Sequence, residues 1–255
     1  MAEPSRTTGQ IKAVCLDIDD TLVDSERASR EGLRALVGTD RAWQVWRRIT
    51  DEHFGDHAAG DGDFDATSAA RTRAFFAAFG HEIDDAELAR RESDRMAAMR
   101  RAWRLFDDAL PCLDWLRATG LRLVAITNAP SAYQRRKMAD VGLAGTFDTV
   151  LLSEEVGAAK PDPRIFAAAC GGLGLRPEEV VHVGDRLDAD AVGAVRAGMH
   201  GVWLDRRDTG RAAPDGVRVI SSLFDLPELL VCDLPAVPRP AAAPAVVGEV
   251  VGLSR

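Results

Sequence analysis

Five short apolar runs constrain this chain most: Ala13 to Leu16, Leu121 to Ile126, Val150 to Leu152, Val180 to Val183 and Gly201 to Leu204. Each is rich in Val, Ile or Leu without regular polar alternation, the pattern of strands covered on both faces. Helical patterns lie between them, at Pro111 to Thr119, Ala132 to Val141, Pro163 to Gly172 and Ala189 to Ala197. Gly120, Gly142, Gly174 and Gly198 stand where these helices should stop. Strand and helix in alternation predict an α/β fold, a parallel sheet with helices on both faces. Ligands collect at the carboxyl ends of such strands, and Asp17, Thr127 and Asp185 each fall at or just past one.

Residues 24–105 break the alternation. They contain no convincing strand, and helical stretches are expected around Ala28 to Val37, Arg41 to Phe54, Ser68 to Phe79 and Ala86 to Trp103, so an inserted helical unit is predicted. Met96, Met99 and Trp103 share one helical face, as do Trp43 and Trp46; packing between helices is the expected use of both sets. The run Gly55 to Asp65 carries Asp56, Asp61, Asp63 and Asp65, but it lacks the spacing and terminal Glu of a calcium loop and reads as a connection. Residues 233–255 form a Pro/Ala-rich tail, expected to be mobile.

A net charge of −8 argues against nucleic acid as a partner. No apolar run approaches a membrane span, and Met1 to Gln10 lacks the apolar core of a signal peptide. A cytoplasmic protein without a membrane partner is expected. Cys15, Cys112, Cys170 and Cys232 are widely separated without paired metal-ligand spacing, so they read as reduced thiols.

Four separated elements carry chemistry. The first is Asp17-Ile18-Asp19-Asp20-Thr21, where an apolar run ends in carboxylates two residues apart. Two such groups could hold a hard cation, or divide the work of nucleophile and proton donor. The others are Ile126-Thr127-Asn128, Lys160-Pro161-Asp162-Pro163 and Gly184-Asp185-Arg186-Leu187-Asp188-Ala189-Asp190. Each alone has a bland explanation as a turn, a cap or a strand exit. All four in this order, each after a strand or before a helix, are hard to explain as punctuation.

Together they resemble the haloacid dehalogenase-like hydrolase superfamily, in its phosphatase branch with a helical cap after the first motif. The resemblance spans most of residues 11–230, including Ser153-Glu154-Glu155-Val156 and the stretch from Gly193-Ala194 to Ala197-Gly198. It implies a Rossmann-like core of residues 1–23 and 106–232 and a cap of residues 24–105. It also implies Mg2+ and an aspartyl-phosphate intermediate. By the same resemblance Asp17 is the nucleophile, and Asp19 protonates the leaving oxygen and then deprotonates water. Thr127, Asn128 and Lys160 hold the phosphate, with Thr127 and Lys160 counted among the catalytic residues. Asp17, Asp185 and the Asp19 backbone carbonyl hold the metal, and Asp190 orients Lys160 or a metal-bound water. Asp188 competes for that last role, but the family's spacing favours Asp190; Asp20 is expected to tune the turn.

The expected substrate is a small phosphorylated metabolite, and a monomer or homodimer is expected. Asp19 argues against the rival 2-haloacid dehalogenase, which typically lacks it. Residues 24–105 contain no Lys, which disfavours a phosphonate hydrolase. A phosphomutase and a non-catalytic phosphometabolite-binding protein are the remaining alternatives. His53, His57 and His81 are expected to be surface or capping residues, His182 a core residue and His200 a connector. Arg95, Arg100, Arg101 and Arg104 are expected on solvated faces.

Overall fold

The structure is a computed structural model that describes residues 10–54 and 64–234. The run Val14-Cys15-Leu16 shows why a parallel sheet forms. Its residues alternate between two separate apolar clusters, Val14 and Leu16 facing one and Ala13 and Cys15 the other, so neither face of the strand meets water. In chain order the elements are β1 (Ala13–Leu16), α1 (Ser25–Val37), α2 (Trp43–Phe54), α3 (Phe64–Ala77), α4 (Asp85–Ala102), α5 (Ala109–Ala118), β2 (Arg122–Thr127), α6 (Ser131–Asp140) and β3 (Thr149–Leu152). There follow α7 (Ser153–Val156), α8 (Pro163–Leu173), β4 (Val180–Gly184), a π-helical turn (Leu187–Val192), α9 (Gly193–Arg196), β5 (His200–Leu204), β6 (Val217–Ile220) and α10 (Leu226–Cys232).

The six strands are all parallel, in the order β3-β2-β1-β4-β5-β6. Helices α5 and α10 cover one face through Leu113, Leu116, Leu226 and Leu230. Helix α8 covers the other through Ile165, Phe166 and Ala169. The chain builds outward from β1 first through β2 and β3, then in the opposite direction through β4, β5 and β6. The crevice between the ends of β1 and β4 is therefore the topological switch point.

The five expected strands and the layered α/β arrangement are present, while strand β6, helices α7 and α10 and the π-helical turn escaped the sequence reading. Strand β6 has buried ends and an exposed middle, so it lacks the continuous apolar signature of its neighbours. The stretch Ala189 to Ala197 is not one helix. It begins inside the π-helical turn and passes into α9.

Helices α1 to α4 form the insertion between β1 and α5. Helix α1 starts on Asp24, whose carboxylate accepts from the Arg27 amide. Its Gly32 lies so close to α4 that a Cβ there would stand 2.5 Å from Met99 Cγ. Trp46 and Phe75 join α2 to α3 edge-to-face at 5.2 Å. Arg95 departs from expectation: it is 2% exposed, not solvated. Its guanidinium pairs with Glu92 at 2.8 Å and lies over the Trp46 ring, partners that compensate its burial.

The chain enters and leaves the insertion at one place. Val23 and Leu105 pair antiparallel, Asp24 N donates to Arg104 O, and the Arg104 guanidinium bonds the Asp24 carboxylate at 2.9 Å. No helix among the described residues is long and apolar enough to cross a membrane. Most of the Gly55 to Asp65 run, His57, and the tail beyond residue 234 lie outside the described residues.

Candidate active site

Strand register brings three of the motifs level. Leu16 pairs with Ala125 of β2 and Val183 of β4, so Asp17 stands level with Ile126 and Gly184, and Thr127 and Asp185 follow one residue further on at the same end of the sheet. Asp17 is held there because its amide donates to Val183 O at 2.9 Å. The Asp185 amide donates to Thr21 Oγ1 at 3.1 Å, tying the two loops across the crevice. Asp20, with φ of 55°, turns the chain back, and its carboxylate accepts from the Glu26 amide at the start of α1.

Lys160 enters from the loop before α8. Its ammonium is almost wholly enclosed, 2.5 Å from Asp17 Oδ1, 2.7 Å from Asp190 Oδ1 and 2.7 Å from Ile126 O. Asn128 fixes that loop with a reciprocal pair of 2.8 Å bonds to the Lys160 backbone. Its side chain is therefore occupied, while its backbone amide lies beside Thr127. Asp190 is fully buried and accepts from Lys160, from the Arg186 amide at 3.0 Å and from His182 Nε2 at 3.1 Å. This position requires Gly184, since a Cβ there would come within 2.3 Å of Asp190 Cγ. Asp188 instead points outward to Arg211.

Asp19 faces a different set of groups. Oδ1 accepts from Lys137 Nζ at 2.5 Å and from the Ser25 hydroxyl, and Oδ2 accepts from Gln134 Nε2 at 2.9 Å. The same Gln134 nitrogen donates to Thr127 Oγ1 at 3.0 Å. Burial alone would raise the Asp19 carboxyl, but the Lys137 ammonium and the hydrogen bonds from Lys137, Ser25 and Gln134 outweigh it and hold the group below the ordinary range.

At the crevice the balance runs the other way. One carboxylate oxygen from each of Asp17, Asp185 and Asp190 lies within 4.8 Å of the others. Burial raises Asp17, and neighbouring carboxylates add to the effect against the pull of Lys160. Burial together with Asp17, Asp190 and Asp20 pushes Asp185 well up. Asp190 is held low despite its burial, by Lys160 and His182. Three carboxylates thus face one ammonium, and no side chain among the described residues donates to the Asp185 carboxylate, although Trp203 Nε1 donates to its backbone carbonyl at 2.9 Å. Hard oxygen donors in negative excess suit a divalent cation such as magnesium.

The remaining candidates fall away from the crevice. His53 Nδ1 bonds Ile49 O, His81 is exposed and His200 Nε2 bonds Glu178 O. His182 is a core residue, as expected, but its Asp190 contact also places it behind Lys160. Burial holds its imidazole below the usual value and therefore neutral. Arg100 and Arg104 pair with Asp140 and Asp24. The sequence reading missed Ser25, Gln134 and Lys137. The last two stand three apart on a mostly polar helix, a spacing that puts them on one face but does not mark that face as buried.

A family model for haloacid dehalogenase-like hydrolases matches residues 11–198. A glyceraldehyde 3-phosphate phosphatase of Methanopyrus kandleri is 33% identical over 208 residues, covering 77% of this chain and 84% of the relative. A phosphoserine phosphatase of Thermus thermophilus is 31% identical, covering 80% and 94%. The solved structure of the putative hydrolase YfnB from Bacillus subtilis, bound to magnesium, superposes with a TM-score of 0.72 at 23% identity. It covers 88% of this chain and all of that one, a likeness of fold.

Proposed function

The chain belongs to the haloacid dehalogenase-like hydrolase family and is a phosphoric monoester hydrolase, and from that premise we propose that it is a magnesium-dependent phosphatase of a small phosphorylated metabolite, working through an aspartyl-phosphate on Asp17. The observation that carries the reading is the pairing of Asp17 with Lys160 at 2.5 Å, beside an Asp185 carboxylate to which no side chain among the described residues donates.

Asp17 Oδ attacks phosphorus; the new O–P bond forms as the bond to the leaving oxygen breaks. Lys160 offsets the charge gathered by the nucleophile and the phosphoryl group, and Asp190 with His182 behind it keeps the ammonium in place. The Thr127 hydroxyl and the Asn128 amide bind phosphoryl oxygens. Asp19 gives its proton to the leaving oxygen, then takes one from the water that cleaves the acyl phosphate. An arriving phosphate dianion supplies the like charge that favours the protonated form of Asp19. Asp17, Asp185 and the Asp19 carbonyl would hold magnesium, which when bound neutralises phosphate charge and fixes its orientation. The insertion, as a cap over residues 24–105, limits access to small molecules. A cytoplasmic location belongs to the same proposal and fits the free, buried Cys15, Cys112 and Cys170.

The test is phosphate release from a panel of phosphometabolites, beginning with glyceraldehyde 3-phosphate and phosphoserine. Activity should require magnesium, disappear with chelator and return on adding the ion. Asp17→Asn should lower it at least ~1,000-fold. A variant as active as the wild type, or a folded wild type inert on the whole panel with magnesium, overturns the reading.

A further inference from the structure

Lys137 and Gln134 belong to none of the four motifs, yet both are buried and both bond the carboxylate of Asp19. We propose that they form a positioning pair that aims Asp19 at the leaving oxygen, an inference that rests on the phosphatase reading above. Three observations support it.

The first is orientation. The Lys137 side chain is 4% exposed and that of Asp19 is 32% exposed, so the ammonium stands behind the carboxylate and leaves its open side free. A buried ammonium needs close compensation. Here it comes from Asp19 and from the Tyr133 ring, whose centroid is 4.7 Å from Nζ.

The second is coupling. Gln134 Nε2 bridges Asp19 Oδ2 and Thr127 Oγ1, so the group that meets the leaving oxygen and the hydroxyl that meets the phosphoryl oxygens share one donor. Helix α6 starts four residues beyond Thr127 and carries both positioning residues. Its placement therefore sets the distance between the two ends of the bond to be broken.

The third is the reach of this support. Tyr133 lies edge-to-face against Trp103 at 5.6 Å, and its ring centroid is 5.2 Å from that of Phe64 on α3. The insertion thus rests on the helix that holds Asp19.

The experiment compares kcat/KM for p-nitrophenyl phosphate, whose leaving phenolate needs little protonation, with that for phenyl phosphate, whose leaving group needs more. General acid catalysis supplies roughly 100- to 10,000-fold. Lys137→Met should lower kcat/KM for phenyl phosphate far more than for p-nitrophenyl phosphate, raising the ratio of the two by about tenfold or more. Gln134→Leu, which keeps the ion pair, should shift the ratio in the same direction by a smaller factor. It also serves as the test if Lys137→Met does not fold, as judged by circular dichroism. Adding Lys137→Met to Asp19→Asn should leave the ratio of Asp19→Asn unchanged, since the residue acts through Asp19. Equal loss on both substrates overturns the inference and leaves the phosphatase reading standing, as does a ratio shift that adds to that of Asp19→Asn. A wild type inert on both substrates and on the metabolite panel overturns both.

Discussion

The insertion and the end of the sheet both bury charge, and they differ in how it is balanced. In the insertion, Arg95 and Arg71 are both enclosed, both paired with Glu92 and both packed on Trp46, so their charge is met within the helices. At the sheet, Asp17, Asp185 and Asp190 crowd against Lys160, and Asp185 is left pushed up by burial and by its neighbours. Buried ions that satisfy one another can be pure architecture. Buried ions left in excess are strained until a ligand of opposite charge arrives, which is how a site differs from a core.

The comparison breaks most readily at Lys160. Lys160→Met leaves Asp17 and Asp190 enclosed without a counter-charge, and the expected cost is about 3–5 kcal/mol, read from the denaturant midpoint. A loss under ~1 kcal/mol would mean that the crevice is not in charge excess. A smaller effect is expected in the insertion, where Gly32→Val forces Met99 and Arg95 aside and should cost about 1–3 kcal/mol. Thermal melts with and without magnesium sharpen this test, because the ion should raise the midpoint of wild type and of Gly32→Val alike. The smallest effect belongs to Asp188, two residues before the enclosed Asp190. Asp188→Asn removes only an exposed pair with Arg211, so stability should change by less than ~0.5 kcal/mol and phosphate release should hold. A large loss in that variant would move the boundary of the site outward.

Those differences also explain what could be read from the chain. The sheet was legible because β1, β2, β4 and β5 are apolar on both faces, and their ends then placed Asp17, Thr127 and Asp185 together. Strand β6 was not, since its exposed middle residues, Arg218 and Val219, mark a strand at the sheet edge with no apolar run. Asp190 could be singled out by the family resemblance, but not the π-helical turn that carries it, because a widened turn leaves no mark in hydrophobic periodicity. Gln134 and Lys137 were hidden by their own chemistry. Periodicity finds buried faces by their apolar residues, and the inward face of α6 is Gln134, Lys137 and Met138. Arg95 was misplaced for the same reason, as a charged residue whose burial depends on partners distant from it in sequence, such as Trp46.

The paired linkers at Val23 and Leu105 have a consequence for how such a chain can be varied. The long excursion between them begins and ends at adjoining hydrogen bonds, so its two ends meet the sheet as a closed hairpin. Lengthening or exchanging that excursion changes loop-closure entropy only slowly. Away from its contacts with α6 and Asp19, the insertion is thus a fitting on a fixed socket, open to variation without redrawing a single strand.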